Sequence, residues 1–447
     1  MDSLKVKILS RKLIKPSIPT PNDVRFLKIS LFDQLAPPVY VHILFYYLQG
    51  DDADYNSAKN DEKWARMEQS LSQVLTKYYP LAGRFVKDDL LIDCGDQGVE
   101  YFEARVNGKL AVFLQERSEI ELLNKFLPGD VLPSVLSVTS PLLVIQINKF
   151  DCGGVVLGIR ISHIVADACT MMAFAKEWAN KCCTGLMEMI NNVVSPGNYD
   201  LIVSLFPTRS TIAGRRPPTS SKNPAKIVTR RFLFDEIIIG KVKQITVSSS
   251  STNFHPSRNV VVIAMLWKAL MGVSIAQHGY LRDSIISIAM NLRGKTATLS
   301  MSEVNYGNFW LSVIVPFKAK TDKMELVELM ILLKNSIKSM SEKLATASAD
   351  DISTMLINCR NEMFEKRFLH DGVDVYVCTS WCRFPIYEVD FGWGKPHWVS
   401  QISKPFEGIV LLDTKNGDGV EAWVSLQENY MIEFERQLEI LVSESKL

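Results

Sequence analysis

The chain has 447 residues, and its 50 lysines and arginines nearly balance 49 aspartates and glutamates, which gives a formal net charge of +1. At roughly 150 residues per domain, this length predicts two or three domains, each large enough for its own apolar core. The neutral charge excludes a nucleic-acid binder that works by counterion release, and an apolar content of 47% argues against disorder.

The beginning of the chain, MDSLKVKILSRKLIKPSIPTP, mixes an acid and four lysines with short apolar pairs, so no secretory signal is predicted. We expect no uncharged apolar stretch of the roughly 18 to 20 residues that a membrane-spanning helix needs, the longest candidate being 304–317. The eight cysteines form no C-x-x-C pair, which favours free thiols over disulfides or a zinc site. We therefore expect a cytoplasmic protein without a membrane or nucleic-acid partner.

The spacing of apolar residues predicts mixed α and β structure in the first half. A helix is predicted over 64–78, two buried strands over 142–147 and 155–161, and a second apolar helix over 171–179. The segment 207–224 is rich in proline, serine and basic residues and has no apolar period. Such a composition predicts a crossover between two domains.

The second half repeats this mixture. The pattern predicts a strand over 227–234, a buried helix over 260–271, further helices at about 324–344 and 350–368, and a hairpin over 408–426. The whole pattern is typical of two α/β domains of similar size.

We therefore place an N-terminal domain over 1–206, a linker over 207–225 and a C-terminal domain over 226–447. Ligand sites favour domain interfaces, so the reactive residues are expected near the strand ends of each half.

His163 is distinguished from the other histidines by its setting. It follows the apolar strand VVLGIRI directly, precedes a helix, and is separated by three residues from Asp167. A histidine at a strand end can meet a substrate while the scaffold holds its ring, and its ordinary pKa of about 6.5 suits proton abstraction. The bare H-x-x-x-D pattern is also compatible with half of a metal site or with a surface His–Asp pair.

The sequence lacks the motifs of several rival chemistries. No G-x-S-x-G elbow, G-x-G-x-x-G loop or Walker loop is present, which excludes serine hydrolases and nucleotide sites of those types. Cys169 lies six residues after His163, but no cationic partner is evident, so a structural thiol is the simpler interpretation.

A second distinctive string, DFGWG, runs from Asp390 to Gly394. Two glycines that flank Trp393 indicate a tight turn in which a Cβ would clash, and Asp390 can accept hydrogen bonds from neighbouring amides. This pattern favours a structural role.

Together, HxxxD at 163–167 and DFGWG at 390–394, about 220 residues apart, resemble the plant BAHD acyltransferase family. The resemblance extends over the whole chain through LSQVLTKYYPLAGRF at 71–85, SHIVADACTMMAFAKEWAN at 162–180, NLR at 291–293 and TSW at 379–381. It implies two chloramphenicol-acetyltransferase-like α/β domains with a solvent channel at their interface, and it allows part of 388–415 to pack with the N-terminal domain. It also implies an acyl-CoA co-substrate and no permanently bound cofactor.

The same resemblance implies roles for individual residues. His163 would act as general base on the acceptor hydroxyl without a covalent acyl-enzyme, while Asp167 would point away from it and pair with Arg293. Thr379 and Trp381 would lie near the tetrahedral intermediate. The motif carboxylates Asp167 and Asp390 join His163 in the predicted catalytic set, and structural support is assigned to Arg293, Gly392, Trp393 and Gly394. No metal ligand is predicted.

The general likeness is to alkaloid O-acetyltransferases, so we expect a monomer that transfers acetyl from acetyl-CoA to a hydroxyl of a plant alkaloid. Two features depart from or extend this pattern: Ala168 stands where glycine is common, and Tyr306-Gly307-Asn308-Phe309 partly resembles a stretch of anthocyanin malonyltransferases. The alternatives are malonyl or hydroxycinnamoyl transfer to another alcohol or amine, or a non-catalytic partner protein of the same fold.

Overall fold

The apolar runs of the sequence form strands that pair into two six-stranded sheets and one three-stranded sheet. The computed structural model describes residues 4–49, 57–116, 120–128, 139–184, 199–210, 226–249, 254–297, 306–319 and 324–444. Contacts divide the chain into two units, each with one of the large sheets. The first unit comprises Met1–Arg209, Ser302–Phe309 and Phe384–Ser403, and the second comprises Ser210–Met301, Trp310–Arg383 and Lys404–Leu447.

Within the described residues the strands are, in chain order, β1 (Val6–Ile14), β2 (Phe26–Lys28), β3 (Tyr40–Tyr47), β4 (Arg84–Val86), β5 (Leu91–Asp93), β6 (Val99–Val106), β7 (Leu143–Phe150), β8 (Val155–Ser162), β9 (Ile227–Phe234), β10 (Asp283–Asn291), β11 (Trp310–Phe317), β12 (Val373–Ser380), β13 (Trp398–Ser400), β14 (Gly408–Asp413) and β15 (Val420–Gln427). The helices are α1 (Leu31–Leu35), α2 (Ser57–Lys77), α3 (Leu110–Glu116), α4 (Ile120–Leu123), α5 (Ala168–Thr184), α6 (Asp200–Leu205), α7 (Glu236–Ser249), α8 (Arg258–His278), α9 (Leu326–Thr346), α10 (Ala349–Phe368) and α11 (Glu428–Glu444).

The large sheet of the first unit has the strand order β1-β6-β7-β8-β3-β13. Every residue of β8 is buried, which explains why its sequence is almost continuously apolar rather than alternating. Helices α2 and α5 pack against each other, and the indole N–H of Trp178 donates to the carbonyl of Met67 across that contact at 3.1 Å. Because β8 ends at Ser162, His163 lies at the end of a rigid, central strand.

The large sheet of the second unit has the order β11-β10-β12-β14-β15-β9, with β12 parallel to both of its neighbours. Helix α8 begins after Ser257, whose hydroxyl accepts from the amide of Val260, and ends at Gly279 with φ +80°. Helices α9 and α11 pack against α8. The parallel arrangement brings the ends of β10 and β12 to the same edge of the sheet.

Helix α8 corrects one expectation from the sequence. It is long and apolar enough to cross a membrane by length and composition, whereas the expected longest candidate, 304–317, contains β11. Arg258 and Lys268 are its only lysine, arginine, aspartate or glutamate residues, and most of the helix is buried within the protein. Burial on this scale is typical of a core helix in a globular domain.

The main predicted elements are confirmed. The predicted helix over 64–78 overlaps α2, and the helix over 171–179 lies within α5. The two strands around the turn at 148–154 are β7 and β8, and the C-terminal alternation forms the antiparallel pair of β14 and β15.

The observed division of the chain differs from the expected boundaries at 1–206 and 226–447. Ser302–Phe309 and Phe384–Ser403 belong to the first unit, although they lie far along the chain. The second of these segments overlaps 388–415, part of which the resemblance allowed to pack with the N-terminal domain. The reason is pairing: Trp398–Ser400 adds to β3 at the sheet edge, and Gly307 forms an isolated bridge with Ala166. The DFGWG motif therefore lies in the first unit. Most of the expected linker, 211–225, lies outside the described residues.

Candidate active site

His163 is held by its backbone at the end of β8. Its amide donates to the carbonyl of Val39 at 2.9 Å, just before β3 begins, and its side chain is half-buried. Strands β3 and β8 are paired from Tyr40 to Tyr47, so this bond continues a rigid ladder. The imidazole is thus presented from a fixed backbone, as a catalytic group requires.

Asn308 contacts the imidazole directly. Its side-chain Oδ1 lies 3.0 Å from Nδ1 of His163. Its Nδ2 donates to Oδ1 of Asp33 at 2.8 Å and to the backbone carbonyl of His163 at 2.6 Å. Asn308 has no exposed surface, so these bonds form in a site sheltered from water.

The partners of Asn308 determine the orientation of its amide. The His163 carbonyl can accept a hydrogen bond but cannot donate one, and the same holds for the Asp33 carboxylate when it is ionised. The NH₂ end of the Asn308 side chain must therefore face these two groups. Oδ1 therefore faces the imidazole, and the hydrogen bond requires a proton on Nδ1 of His163. In the neutral ring Nε2 then carries the lone pair, which makes it the basic nitrogen.

Asp33 supports this arrangement from the beginning of α1. Its carboxylate accepts hydrogen bonds from the backbone N–H and the hydroxyl of Ser30 at 2.9 and 2.7 Å, which completes a capping box. It also accepts from the backbone N–H of Asn308 at 3.1 Å. Asp33 is only 8% exposed, and burial raises the pKa of its carboxyl, while the bonds from Ser30 and Asn308 act in the opposite direction. Several donors thus converge on one buried carboxylate.

Asp167 joins two segments that are distant in sequence. Its Oδ1 accepts from the amide of Thr170 at 2.8 Å and so caps α5, and its Oδ2 accepts from the amide of Phe309 at 3.0 Å. The hydroxyl of Thr170 donates to the carbonyl of Gly307 at 2.8 Å. The second half of HxxxD therefore holds the segment that carries Asn308 beside the segment that carries His163.

Arg293 lies in the second unit, two residues after the end of β10 at Asn291. It is 7% exposed, and its amide and its Nη1 donate to Oδ1 of Asn291 at 3.1 and 3.2 Å. Its pairing with Asp167, which the family resemblance implies, stays a prediction.

Asp390 organises the backbone of the DFGWG turn. Its Oδ1 accepts from the amides of Gly392 and Gly394 at 2.8 and 3.0 Å. Both glycines have left-handed backbones, with φ +96° and +102°, which L-residues with a side chain rarely adopt. These contacts favour the structural role that the motif suggested. The inclusion of Asp390 in the catalytic set stays a prediction.

The turn displays an aromatic cluster that fastens it within the first unit. Phe391 and Trp393 are stacked with ring centroids 5.4 Å apart, and Tyr47 meets both rings edge-on. The ammonium of Lys63, on α2, lies 3.8 Å from the centroid of Trp393. Burial lowers the pKa of Lys63 to about 8. The motif thereby joins α2 and β3 through packing.

Thr379 and Trp381 lie at the end of β12 in the second unit. Thr379 is paired with Val410, and the amide of Trp381 donates to the carbonyl of Leu411 at 2.8 Å. The indole of Trp381 is 4% exposed. Their expected place beside the tetrahedral intermediate stays a prediction.

Two residues of the site, Asn308 and Asp33, were absent from the sequence-based assignment. The string Tyr306–Phe309 was noted only for its likeness to malonyltransferases. The pattern Ser30-x-x-Asp33 is a capping box that could be read from the sequence, but the capping box alone does not indicate a contact with Asn308.

Within the part of the chain that the structure describes, the cysteines and the possible metal ligands do not form a second reactive centre. All eight cysteines are free thiols, and burial raises the pKa of several of them, including Cys182 to about 11. Among the described residues, no group of three or more histidines, cysteines, aspartates and glutamates is arranged to hold a metal ion.

Comparison with known proteins shows similarity over nearly the whole chain. Residues 4–441 match the model of the Transferase family. The acetyl-CoA-benzylalcohol acetyltransferase of Clarkia breweri is 34% identical over 453 residues, which cover 98% of this chain and 99% of that protein. Vinorine synthase of Rauvolfia serpentina is 32% identical over 427 residues, covering 95% and 94%.

A solved structure shows the same fold. The crystal structure of vinorine synthase matches with a TM-score of 0.81 and 30% sequence identity, covering 98% of both chains. A fungal structure, TRI101 of F. sporotrichioides in complex with coenzyme A and T-2, matches with a TM-score of 0.67 at 14% identity, which supports the fold alone. The expected α/β fold with two chloramphenicol-acetyltransferase-like domains is confirmed.

The family match and the identity to named acetyltransferases agree on one family. The arrangement of His163 with Asn308, Asp33 and Asp167, called here the His163 centre, is compatible with it. The chain belongs to the Transferase family of plant BAHD acyltransferases, whose members take the acyl group from a coenzyme A thioester.

Proposed function

We propose that the protein transfers an acetyl group from acetyl-CoA to a hydroxyl of a plant alkaloid or of a benzyl-type alcohol, with His163 as general base. The observation that carries the mechanism is the amide orientation of Asn308, because it assigns the proton of His163 to Nδ1 and basicity to Nε2. The acceptor class rests on relatives named as acetyltransferases of benzyl alcohol and of alkaloids, such as vinorine synthase.

In the proposed reaction, Nε2 of His163 removes the proton of the acceptor hydroxyl as its oxygen attacks the thioester carbonyl carbon. A general base of this kind contributes about 10² to 10⁴ in rate. The new C–O bond gives a tetrahedral oxyanion, and its collapse breaks the C–S bond. The proton on Nε2 then passes to the sulfur of the departing coenzyme A, so no covalent acyl-enzyme forms.

During this cycle the ring of His163 becomes an imidazolium. Asn308 Oδ1 accepts from Nδ1 and stabilises the added charge, while Asp33 holds the amide in place. Thr379 is proposed to donate a hydrogen bond to the oxyanion, and one well-placed donor is worth about 3 kcal/mol.

Mass spectrometry of paired reactions tests the proposal. Acetyl-, malonyl- and coumaroyl-CoA would each be incubated with hydroxylated alkaloids, benzyl alcohol and simple phenolics. We expect a product heavier than an alkaloid or benzyl alcohol by one acetyl group, lost in His163→Ala. The matched control is His278→Ala, which changes an exposed histidine at the end of α8 and should leave the yield unchanged.

Three outcomes would contradict the proposal. Near-normal turnover by His163→Ala would exclude it as the base. A malonyl or coumaroyl product without any acetyl product would show that the acyl donor is one of the alternatives. If no combination of donor and acceptor gives a product, the non-catalytic interpretation would be favoured.

A further inference from the structure

A cavity unrelated to the His163 centre lies in the first unit. It is open to solvent and has a volume of about 840 Å³. Its described lining residues come from the beginning of the chain and from β1, β3, β6, β7, β8 and the segments around 125–128 and 140–141. His163 and Asn308 are not among these lining residues. Its size falls within the range of small-molecule sites.

Arg160, on β8, is the buried charge of this cavity. It is 7% exposed, its guanidinium lies 3.9 Å from the ring centroid of Tyr40, and its Nη1 donates to the carbonyl of Pro128 at 3.3 Å. Its Nε has no hydrogen-bond partner, and no described carboxylate lies within ion-pair distance of Arg160. Burial lowers the pKa of the guanidinium.

A buried cation without an ion-pair partner is costly, because proteins normally pair buried charges or leave them in water. The charge of Glu100 acts on Arg160 from beyond ion-pair distance and offsets only part of this cost. The cost would be offset by an anion bound beside Arg160. A second buried atom, Oε1 of Gln146, also lacks a hydrogen-bond partner, although its Nε2 donates to the carbonyl of Lys125 at 3.1 Å. Because Oε1 only accepts hydrogen bonds, a carboxylate would not satisfy it, and of these two side chains Arg160 alone favours an anion.

The other charges of the cavity favour an anion. Lys5, Arg11 and Lys125 line it together with Arg160, and Glu100 is the one acid among the described lining residues. Glu100 already accepts from Arg11 at 2.5 Å. The remaining positive charge attracts anions and disfavours cations.

The rest of the wall is apolar. Its side chains include Val6, Ile8, Phe102, Leu127, Pro141 and Val144. An inorganic anion would leave these surfaces in water, whereas an organic acid would cover them and place its carboxylate at the guanidinium.

We propose that this cavity binds an organic carboxylate with an apolar body, anchored by Arg160. Binding involves no reaction step and does not depend on acyl transfer. The binding site can therefore be tested independently of the function proposed for His163.

Isothermal titration calorimetry on the full chain tests this site. The probe is 3-phenylpropanoate, compared with neutral 3-phenylpropanamide and with inorganic phosphate, and all are titrated into the native chain and into His163→Ala. We expect the carboxylate to bind both chains equally, and the amide and phosphate to bind at least about tenfold more weakly.

Two substitutions locate the anchor. Arg160→Met should weaken binding of 3-phenylpropanoate by at least about tenfold, and Arg160→Lys, which keeps the charge but loses the planar fork, should weaken it less. Arg105→Met is the matched control, because it removes an arginine of the same sheet whose side chain is 69% exposed and which does not line the cavity.

Folding of each variant would be checked by circular dichroism and thermal melting. If Arg160→Met fails to fold, the comparison of native chain and Arg160→Lys decides the question. The proposal is overturned by an absence of binding of 3-phenylpropanoate to the native chain. Equal binding by the Arg160 variants, or equal binding of the amide, would also overturn it, and tighter binding of phosphate would show an inorganic-anion site instead.

Discussion

The hydrogen bonds of Asn308 connect the buried carboxylate of Asp33 to the imidazole of His163. Asp33 holds Nδ2 of the amide, and the other end of the amide holds Nδ1 of the ring. The contact orders the proposed base without the His–Asp pair that a serine protease uses. A neutral amide accepts from Nδ1–H more weakly than a carboxylate does, so the ring is oriented with less electrostatic stabilisation of its charged form.

Asn308→Ala should lower kcat by about 10² to 10³, because the ring of His163 loses the contact that fixes its tautomer. Replacement of the aspartate that fixes the histidine tautomer in a serine-protease triad lowers kcat by about 10⁴. The KM for acyl-CoA should change little. The acid limb of the kcat/KM profile should move to lower pH, since the imidazolium loses an acceptor. Steady-state kinetics across pH 5.5 to 9, roughly the range around the ordinary pKa of histidine, would measure this.

The control is Asn22→Ala, which removes an exposed asparagine in a 3-10 turn. A kcat within about threefold of the native value, in a variant that melts normally, would show that Asn308 does not position the base.

The sequence predicted His163 but not the residues that hold it. A strand followed by H-x-x-x-D places the histidine at a strand end, which is a local property. The bonds of Asn308 join residues that are 145 and 275 positions apart. Nothing in periodicity or spacing pairs residues over such distances, so these contacts had to come from the tertiary structure.

At the scale of single elements, Asp167 caps α5 and binds a second segment. Its position directly before Ala168, the first residue of the helix, could have been recognised as an N-cap from the sequence. Its bond to the amide of Phe309 could not, because that amide comes from a separate segment 142 positions away. The motif aspartate therefore has a local role that sequence predicts and a distant role that it does not.

Asp167→Asn should separate these two roles. The amide can still offer Oδ1 to Thr170, but the NH₂ group then faces the amide of Phe309, and two donors meet in a buried site. Leaving such a group unsatisfied costs about 1 to 3 kcal/mol, and we expect the free energy of unfolding to fall by that amount, together with kcat. Urea denaturation gives the first quantity and steady-state kinetics the second.

A different pattern would contradict this account. If Asp167→Asn keeps native stability while activity is lost, then Asp167 acts on the chemistry directly rather than by holding the segment that carries Asn308.

Gly394 of the DFGWG turn and Gly240 of α7 give predictions of opposite sign. Gly394 has φ +102° and open space around a would-be Cβ, so Gly394→Ala suffers from the backbone alone and should lower stability by about 1 to 2 kcal/mol. Gly240 lies within α7 and also has open space. Gly240→Ala should raise stability by about 0.5 to 1 kcal/mol, since alanine is the better helix former.

Thermal and urea unfolding of the two variants would be compared with the native chain. Equal effects at both positions would show that the left-handed backbone of Gly394 is not what the motif requires.

On the scale of the whole molecule, sequence reasoning recovered the two α/β halves and most of their elements. The family resemblance allowed part of 388–415 to pack with the N-terminal domain, and Phe384–Ser403 lies in the first unit, but the return of Ser302–Phe309 was not expected. Those segments join the first unit by pairing with β3 and with Ala166, and strand pairing between distant segments leaves no local signal in composition. The same crossing brings Asn308 to His163, so the missed boundary and the missed site residue have one cause.

Two half-buried lysines, one in each unit, make the stability of the molecule depend on alkaline pH. Burial lowers the pKa of both Lys63 and Lys404 to about 8. The ordinary value in an unfolded chain is about 10.4. Between these values the unfolded chain binds more protons than the native chain, so their contribution to the free energy of unfolding rises with pH across that window.

The double variant Lys63→Met, Lys404→Met lacks both titrations. We therefore expect the free energy of unfolding of the native chain, relative to that of the double variant, to increase between about pH 8 and pH 9.5, and to be nearly constant between about pH 6.5 and 7. Urea denaturation at each pH measures both chains, and the shared titration of buried thiols and tyrosines cancels in the difference. The exposed pair Lys338→Met, Lys415→Met is the control and should give no such slope. A difference that is flat or that falls with pH would mean that the two ammonium groups keep an ordinary pKa. The contact of Lys63 with Trp393 at 3.8 Å would then have to offset its partial burial.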